Sequence, residues 1–321
     1  MKFYETHFEE YIEKSEKKNL HPKFQKEIDA IPSNLKEMKN LILYGPTGTG
    51  KYTQALKIIK KFSPSNLKYE KKITILFNKQ PFYIKISDIH FEIDMALLGC
   101  NAKILWNDIF NHIIDIISTS KHKKGIIVCK NFHEIHSELL EIFYSYMQTF
   151  HKDSIFFNFI IITEHISFIP DNISNCCKVM SIPRPTKTAY NKCVKNTIPT
   201  NVKVNTIRNV KYLKAGIKKT INPYKNLCDP IVERIINVKE LKFLQFRDFL
   251  YDLFIYNLLI EECVWYILSE LSVKKQLDNI NVLDLITNTY KFFKLFNNNY
   301  RPIYHLESYM FYLTRKIHGF T

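Results

Sequence analysis

A chain that places Gly45-Pro46-Thr47-Gly48-Thr49-Gly50-Lys51 between the apolar run Leu41 to Tyr44 and the amphipathic stretch Lys51 to Phe62 has few ways to fold. The pattern G-x-x-x-x-G-K needs a strand that ends in a glycine-bearing turn and runs straight into a helix. Its glycines let backbone N–H groups approach phosphate oxygens, the helix N-terminus adds a favourable dipole, and the lysine reaches the terminal phosphates. Gly45, Pro46, Thr47, Gly48, Thr49, Gly50 and Lys51, with Tyr52 and Thr53 after them, are therefore the candidate nucleotide-binding residues. ATP or ADP is the expected ligand.

Further short apolar runs at Ile73 to Phe77, Ile126 to Cys129 and Phe156 to Thr163 alternate with helical patterns at Ile104 to Ile117 and Ser137 to Thr149. Buried strands alternating with helices predict an α/β domain with a parallel sheet over residues 38–183. Residues 1–37 carry Pro22 and Pro32 and predict a short helical lead-in. From Pro183 onward the chain predicts a shortened basic lid or connector over residues 184–229. Apolar residues recurring at three and four positions then predict an all-helical C-terminal domain over residues 230–321.

The surroundings of the phosphate loop depart from what hydrolysis needs. Tyr52 follows Lys51 where a Ser or Thr hydroxyl would coordinate magnesium, and the Thr53 hydroxyl comes about 100° further round the helix. An ATPase of this kind also needs carboxylates at the end of a second strand, one for the metal and one to orient the attacking water. After Gly125-Ile126-Ile127-Val128-Cys129 come Lys130 and Asn131, neither of which does a carboxylate's work. The sequence thus predicts a site that binds nucleotide, holds Mg²⁺ poorly and splits nothing, with no catalytic or metal-ligating residue assigned.

The formal charge of +15 favours a polyanionic partner. Its distribution is the more informative fact, because no acidic residue lies between Asp171 and Asp229 while twelve lysines and arginines do. Lysines without a fold attract nucleic acid in a salt-sensitive, sequence-blind way, and Tyr190 and Tyr212 are candidates for stacking on bases. The seven cysteines form no CxxC pair, and Cys176 and Cys177 are adjacent, which suits free thiols in a reducing compartment. No apolar run reaches the roughly 18 residues of a membrane span, so the expectation is a soluble, intracellular protein with no membrane partner.

These residues resemble the AAA+ clamp-loader subunits of the replication factor C family, most closely the small subunit whose own ATP site is degenerate. The non-hydroxyl residue after the loop lysine, the segment His90-Phe91-Glu92-Ile93-Asp94 with Gly99 and Asn101, Phe246 to Leu271, and Ile303-Tyr304-His305-Leu306-Glu307 carry the resemblance. The family has a sensor asparagine and, twelve positions on, an arginine in a Ser-Arg-Cys motif. Here those positions are Glu164 and Cys176, so both chemistries are replaced, as they are at Lys130 and Asn131.

The resemblance implies a hetero-pentamer with other clamp-loader subunits, a sliding clamp (PCNA) and primer-template DNA as partners, at the nuclear or viral site of DNA replication. It also implies that the helix from Lys103 to Ile117 faces the clamp, with Asn101 and Lys103 as DNA-facing candidates, and that the helical domain is an oligomerisation collar. Phe292, Phe296 and Tyr300 are expected to offer that collar an aromatic surface. Two alternatives remain open at this stage. One is an active AAA+ ATPase in DNA remodelling or helicase loading, with carboxylates drawn from Asp88, Asp94 or Glu134. The other is a DNA-binding scaffold that no longer binds nucleotide.

Overall fold

Successive residues of a strand point to opposite faces of a sheet, and this alternation sorts the core into two layers. The computed structural model describes residues 7–77, 80–148, 155–194, 207, 210, 222–256, 258–275, 279–296 and 301–319. Leu41, Leu43, Ile126, Val128, Ile160 and Ile162 pack into one apolar layer. Ile42, Ile127, Cys129, Phe159 and Ile161 pack into the other.

The chain divides into two compact units, residues 7–195 and residues 196–321 with 1–6. The first opens with α1 (Phe8–Lys17) and α2 (Phe24–Asp29), then β1 (Asn40–Tyr44), α3 (Lys51–Lys60), β2 (Lys71–Phe77), β3 (Gln80–Ile86) and β4 (His90–Asp94). It continues through α4 (Ala102–Thr119), β5 (Lys124–Lys130), α5 (Ser137–Gln148), β6 (Phe156–Thr163), α6 (Asp171–Asn175), β7 (Cys177–Ser181) and α7 (Lys187–Val194). The seven strands lie in the order β2-β3-β4-β5-β6-β1-β7. Helices α1, α2 and α3 cover one face, and α4 and α5 cover the other, where Trp106, Phe110 and Phe143 are buried.

Strands β4, β5, β6, β1 and β7 are parallel, as expected for apolar runs covered on both faces by helices. The run at Ile73 to Phe77 differs, since it lies in β2 and pairs antiparallel with β3. Only two residues separate those strands, too few for the crossover that a parallel pair requires.

The lead-in is part of this unit. Phe8, Ile12, Phe24 and Ile28 are buried in the layer that includes α3, and Lys60 on α3 meets Glu16 on α1 at 2.7 Å.

The second unit contains α8 (Pro223–Ile236), α9 (Phe243–Ile255), α10 (Ile260–Lys275), α11 (Asn279–Phe296) and α12 (Pro302–His318). The core joins Phe246, Leu250, Val264, Ile267, Leu306 and Met310. Glu307 is buried, and the Arg247 guanidinium donates to both its carboxylate oxygens, a bidentate pairing that fixes α9 against α12. Phe292 does not form an exposed aromatic surface. It is buried and stacks on Tyr309 of α12 at 4.6 Å, and Phe296 packs on it at 5.2 Å, because residues four apart share a helix face. Tyr300 lies outside the described residues, as does most of the basic segment, including Lys203, Arg208, Lys211, Tyr212, Lys214, Lys218 and Lys219.

Candidate nucleotide-binding site

Parallel strands bring their C-terminal ends to one edge of the sheet, which is where ligands bind in open α/β folds. Tyr44 on β1, Thr163 on β6 and Ser181 on β7 are register partners at that edge. The loop leaves from there. Gly45 has φ +156°, Gly48 +68° and Gly50 +92°. A Cβ on Gly45 would stand 2.1 Å from the carbonyl oxygen of Ile182, so only glycine fits beneath the exit of β7. Helix α3 starts at Lys51 with Gly50 as its cap residue, so the N–H groups of Lys51, Tyr52 and Thr53 have no partner within the helix and point to the loop.

The Lys51 ammonium is buried in the loop, donating to the Gly45 carbonyl at 2.7 Å and the Pro46 carbonyl at 2.9 Å. Burial lowers its pKa, the Glu164 carboxylate opposes that shift, and the Arg184 guanidinium adds to it. Thr49 donates its hydroxyl to the Pro46 carbonyl at 3.0 Å. A buried histidine in the lead-in, His21, donates from Nε2 to the Thr49 carbonyl at 2.5 Å. Burial lowers its pKa as well. His21 and Arg184 were not among the sequence candidates. The i, i+4 spacing of Phe8 with Ile12 and of Phe24 with Ile28 is the signal that the lead-in docks on the domain.

Tyr52 and Lys130 meet on a single carboxylate. Glu92 is buried on β4. It accepts from the Tyr52 hydroxyl at 2.7 Å and the Lys130 ammonium at 3.2 Å, and its Oε1 lies 3.3 Å from His90 Nε2. An ionised carboxylate only accepts, so Nε2 donates to it, and Nδ1 lies 2.5 Å from the Ser87 hydroxyl. The Tyr52 ring is further held edge-on by Tyr11 at 5.1 Å. Burial raises the Tyr52 pKa, and Glu92 adds to the shift. For Lys130 burial acts downward but is outweighed by Glu92 and Asp94, which raise its pKa.

The Glu92 carboxyl is pushed down to about 2 from its ordinary 4.5. Burial alone would raise it, but Lys130, His90 and Tyr52 prevail. The unfolded chain takes up this proton near pH 4.5 and the folded chain only near 2. The group's stabilisation, about 3 kcal/mol, is therefore complete above pH 4.5 and is lost as pH falls towards 2. Acid unfolding followed by circular dichroism is expected to show a shallower loss of stability over that window in Glu92→Gln than in the unaltered protein. An equally steep loss in the variant would assign the acid limb to other groups.

Glu164 follows β6, the strand between β1 and β5, and so lies beside the loop. It accepts from the Thr47 hydroxyl at 2.5 Å and lies 4.0 Å from His133 Nε2. Asn131 has φ +50° and donates its amide to both carboxylate oxygens of Asp94, at 3.0 and 3.1 Å. Cys176 caps α6 and donates its thiol to the Ile173 carbonyl at 3.1 Å.

The other carboxylates are placed by the sheet. Asp88 precedes β4 and sits at the opposite edge from the loop, where Ser63 and the Ser65 backbone bind it. Asp94 is at the correct edge but three strands from β1, about 14 Å away. The Glu134 side chain is 61% exposed and 3.7 Å from His133.

Asn101 and Lys103 are both exposed at the start of α4, whereas Ile113 and Ile117 are core residues, with Ile114 and Ile116 packed against that core. Tyr190 is fully buried and offers no ring face for a base to stack on. All seven cysteines are free thiols. Among the described residues no helix is long and apolar enough to cross a membrane.

These residues do not fit a magnesium ion. Magnesium takes near-octahedral oxygen ligands, yet the residue that follows the loop lysine is Tyr52, whose hydroxyl is committed to Glu92. The Lys130 ammonium stands where a metal-binding carboxylate is required.

No family model and no curated protein sequence matches this chain. Among solved structures it is similar to the Holliday junction branch migration motor RuvB of Thermotoga maritima. The identity is 14%, the match covers 78% of this chain and 72% of that chain, and the TM-score is 0.38. It is also similar to Rif2 of Saccharomyces cerevisiae, at 15% identity over 78% of this chain and 84% of that chain, with a TM-score of 0.35. The strand order and the loop, rather than scores of this size, define the fold.

Proposed function

We propose that this chain is a nucleotide-binding, non-hydrolysing subunit of an AAA+ assembly of the replication factor C type, which helps to load a sliding clamp onto primer-template DNA. The observation that carries the non-hydrolysing part is the Lys130 ammonium paired with Glu92 beneath Tyr52. A cation there repels a metal ion, and Asn131 next to it is no base for water. The glycine geometry, the open start of α3 and Lys51 support nucleotide binding. The clamp-loader assignment, with its partner subunits, clamp and DNA, is supported by the sequence resemblance.

With ATP and magnesium, the purified protein is expected to show no multiple turnover above a Lys51→Ala control. Equilibrium titration is expected to show nucleotide binding that Lys51→Ala weakens about tenfold or more, as loss of a charge-assisted contact requires. Steady turnover abolished by Lys51→Ala would overturn the proposal. Co-expression with hydrolysis-competent relatives and a sliding clamp tests the assembly, and a chain that purifies alone from that mixture would remove the clamp-loader part.

A second reading has its own observation. Lys51 is already bonded to two loop carbonyls, and Glu164 sets a carboxylate against Thr47, an arrangement that suits a scaffold which binds no nucleotide. The same titration separates the two.

A further inference from the structure

Lys130 and the nucleotide loop lie on the same face of the sheet. Ile126 and Val128 on β5 face the layer that holds α3, so Lys130, two residues further, faces it too. Glu92 on β4 reaches the same side, since it accepts from Tyr52 of α3. Lys130 Nζ lies 3.2 Å from Glu92 Oε2 and 5.6 Å from the centre of the Tyr52 ring. The ammonium therefore stands beside the ring of Tyr52, a residue in the first turn of the helix that follows the loop. Its side chain remains 29% exposed.

In a hydrolysing P-loop protein this neighbourhood holds a divalent cation between a helix hydroxyl and a strand carboxylate. A divalent cation with two carboxylates is neutral, and so is the Lys130–Glu92 pair. Tyr52 also pins Glu92, so the carboxylate cannot turn to accept a metal. An ammonium is a compact point charge suited to phosphate oxygens.

We propose that Lys130 supplies the positive charge that a metal ion supplies elsewhere, so that this chain binds a nucleoside di- or triphosphate without a divalent cation. This rests on the nucleotide-binding reading above and adds to it the metal independence and the residue responsible.

The test is a titration of the full chain with the fluorescent N-methylanthraniloyl derivatives of ATP and ADP, in excess magnesium and in EDTA. The two conditions are expected to give dissociation constants within about threefold of each other, well short of the tenfold step that marks a distinct interaction. The double variant Glu92→Gln/Lys130→Met removes the cation without stranding a buried carboxylate. It is expected to weaken binding in EDTA about tenfold, while Lys130→Arg keeps it. Tightening of the unaltered protein by magnesium of about tenfold or more, or unchanged binding by a folded double variant, overturns the role of Lys130 and leaves nucleotide binding in place. Absence of binding in both conditions overturns both.

Discussion

Lys130→Met is expected to lower the unfolding free energy of the unit spanning residues 7–195 by about 3 kcal/mol, the low end for breaking a buried ion pair because Lys130 is partly solvated. The substitution strands Glu92, whose carboxylate is almost fully buried with only Tyr52 and His90 left as partners among the described residues. An unpaired charge in that environment either takes up a proton or draws water into the sheet, and both cost stability. Adding Glu92→Gln removes the charge and is expected to recover a large part of the loss, so the two substitutions should be strongly non-additive. Urea denaturation of the four proteins in the cycle measures this. Additive losses would mean that Lys130 and Glu92 contribute separately and that their contact has no coupling.

Gly45→Ala is expected to cost about 4 kcal/mol or more, among the largest effects of any single substitution in this chain. Its Cβ would lie 2.1 Å from the Ile182 carbonyl oxygen. That oxygen belongs to backbone, and the Ile182 N–H is tied to the Tyr44 carbonyl at 2.8 Å, so no side-chain rotation relieves the overlap. Either the exit of β7 moves or the loop does. Gly99, by contrast, would meet nothing within 4 Å, although its φ of +64° still disfavours alanine. Thermal unfolding of Gly45→Ala beside Gly99→Ala separates the two causes. A Gly45→Ala protein no less stable than Gly99→Ala would show that β7 leaves the sheet by another path.

The loop was legible in the sequence because its chemistry is local. Gly45 to Lys51 are contiguous, and a strand, a turn and a helix of fixed lengths satisfy the pattern without help from distant residues. Helices α4 and α5 and strands β5 and β6 were legible for the same reason, since period and length are properties of a short window. The hairpin of β2 and β3 was read less well. Its apolar run resembles a parallel strand until the two-residue connection is taken into account.

The chemistry around the loop was only half visible. The replacements at Tyr52, Lys130 and Asn131 can be read one by one as lost functions. That Tyr52 and Lys130 share Glu92 is invisible without the fold, because the three residues lie on a helix and two strands and are joined only by register and parity. His21 is a similar case. Nothing around it resembles a ligand site, and it reaches Thr49 only because α1 and α2 dock on the layer beside α3. Tyr190, a candidate for base stacking in the sequence, turned out to be a core residue, since a lone aromatic carries no signal of the side it faces.

Short-range pattern in the amino acids alone set where the strand, the phosphate loop and the helices begin and end, and removed the carboxylates from their usual places. The sheet decided what replaced them. Packing brought Glu92 under Lys130, Glu164 against Thr47 and His21 against Thr49, because strand order and side-chain alternation are settled by burying apolar area across the whole layer, a sum that no window of the chain contains.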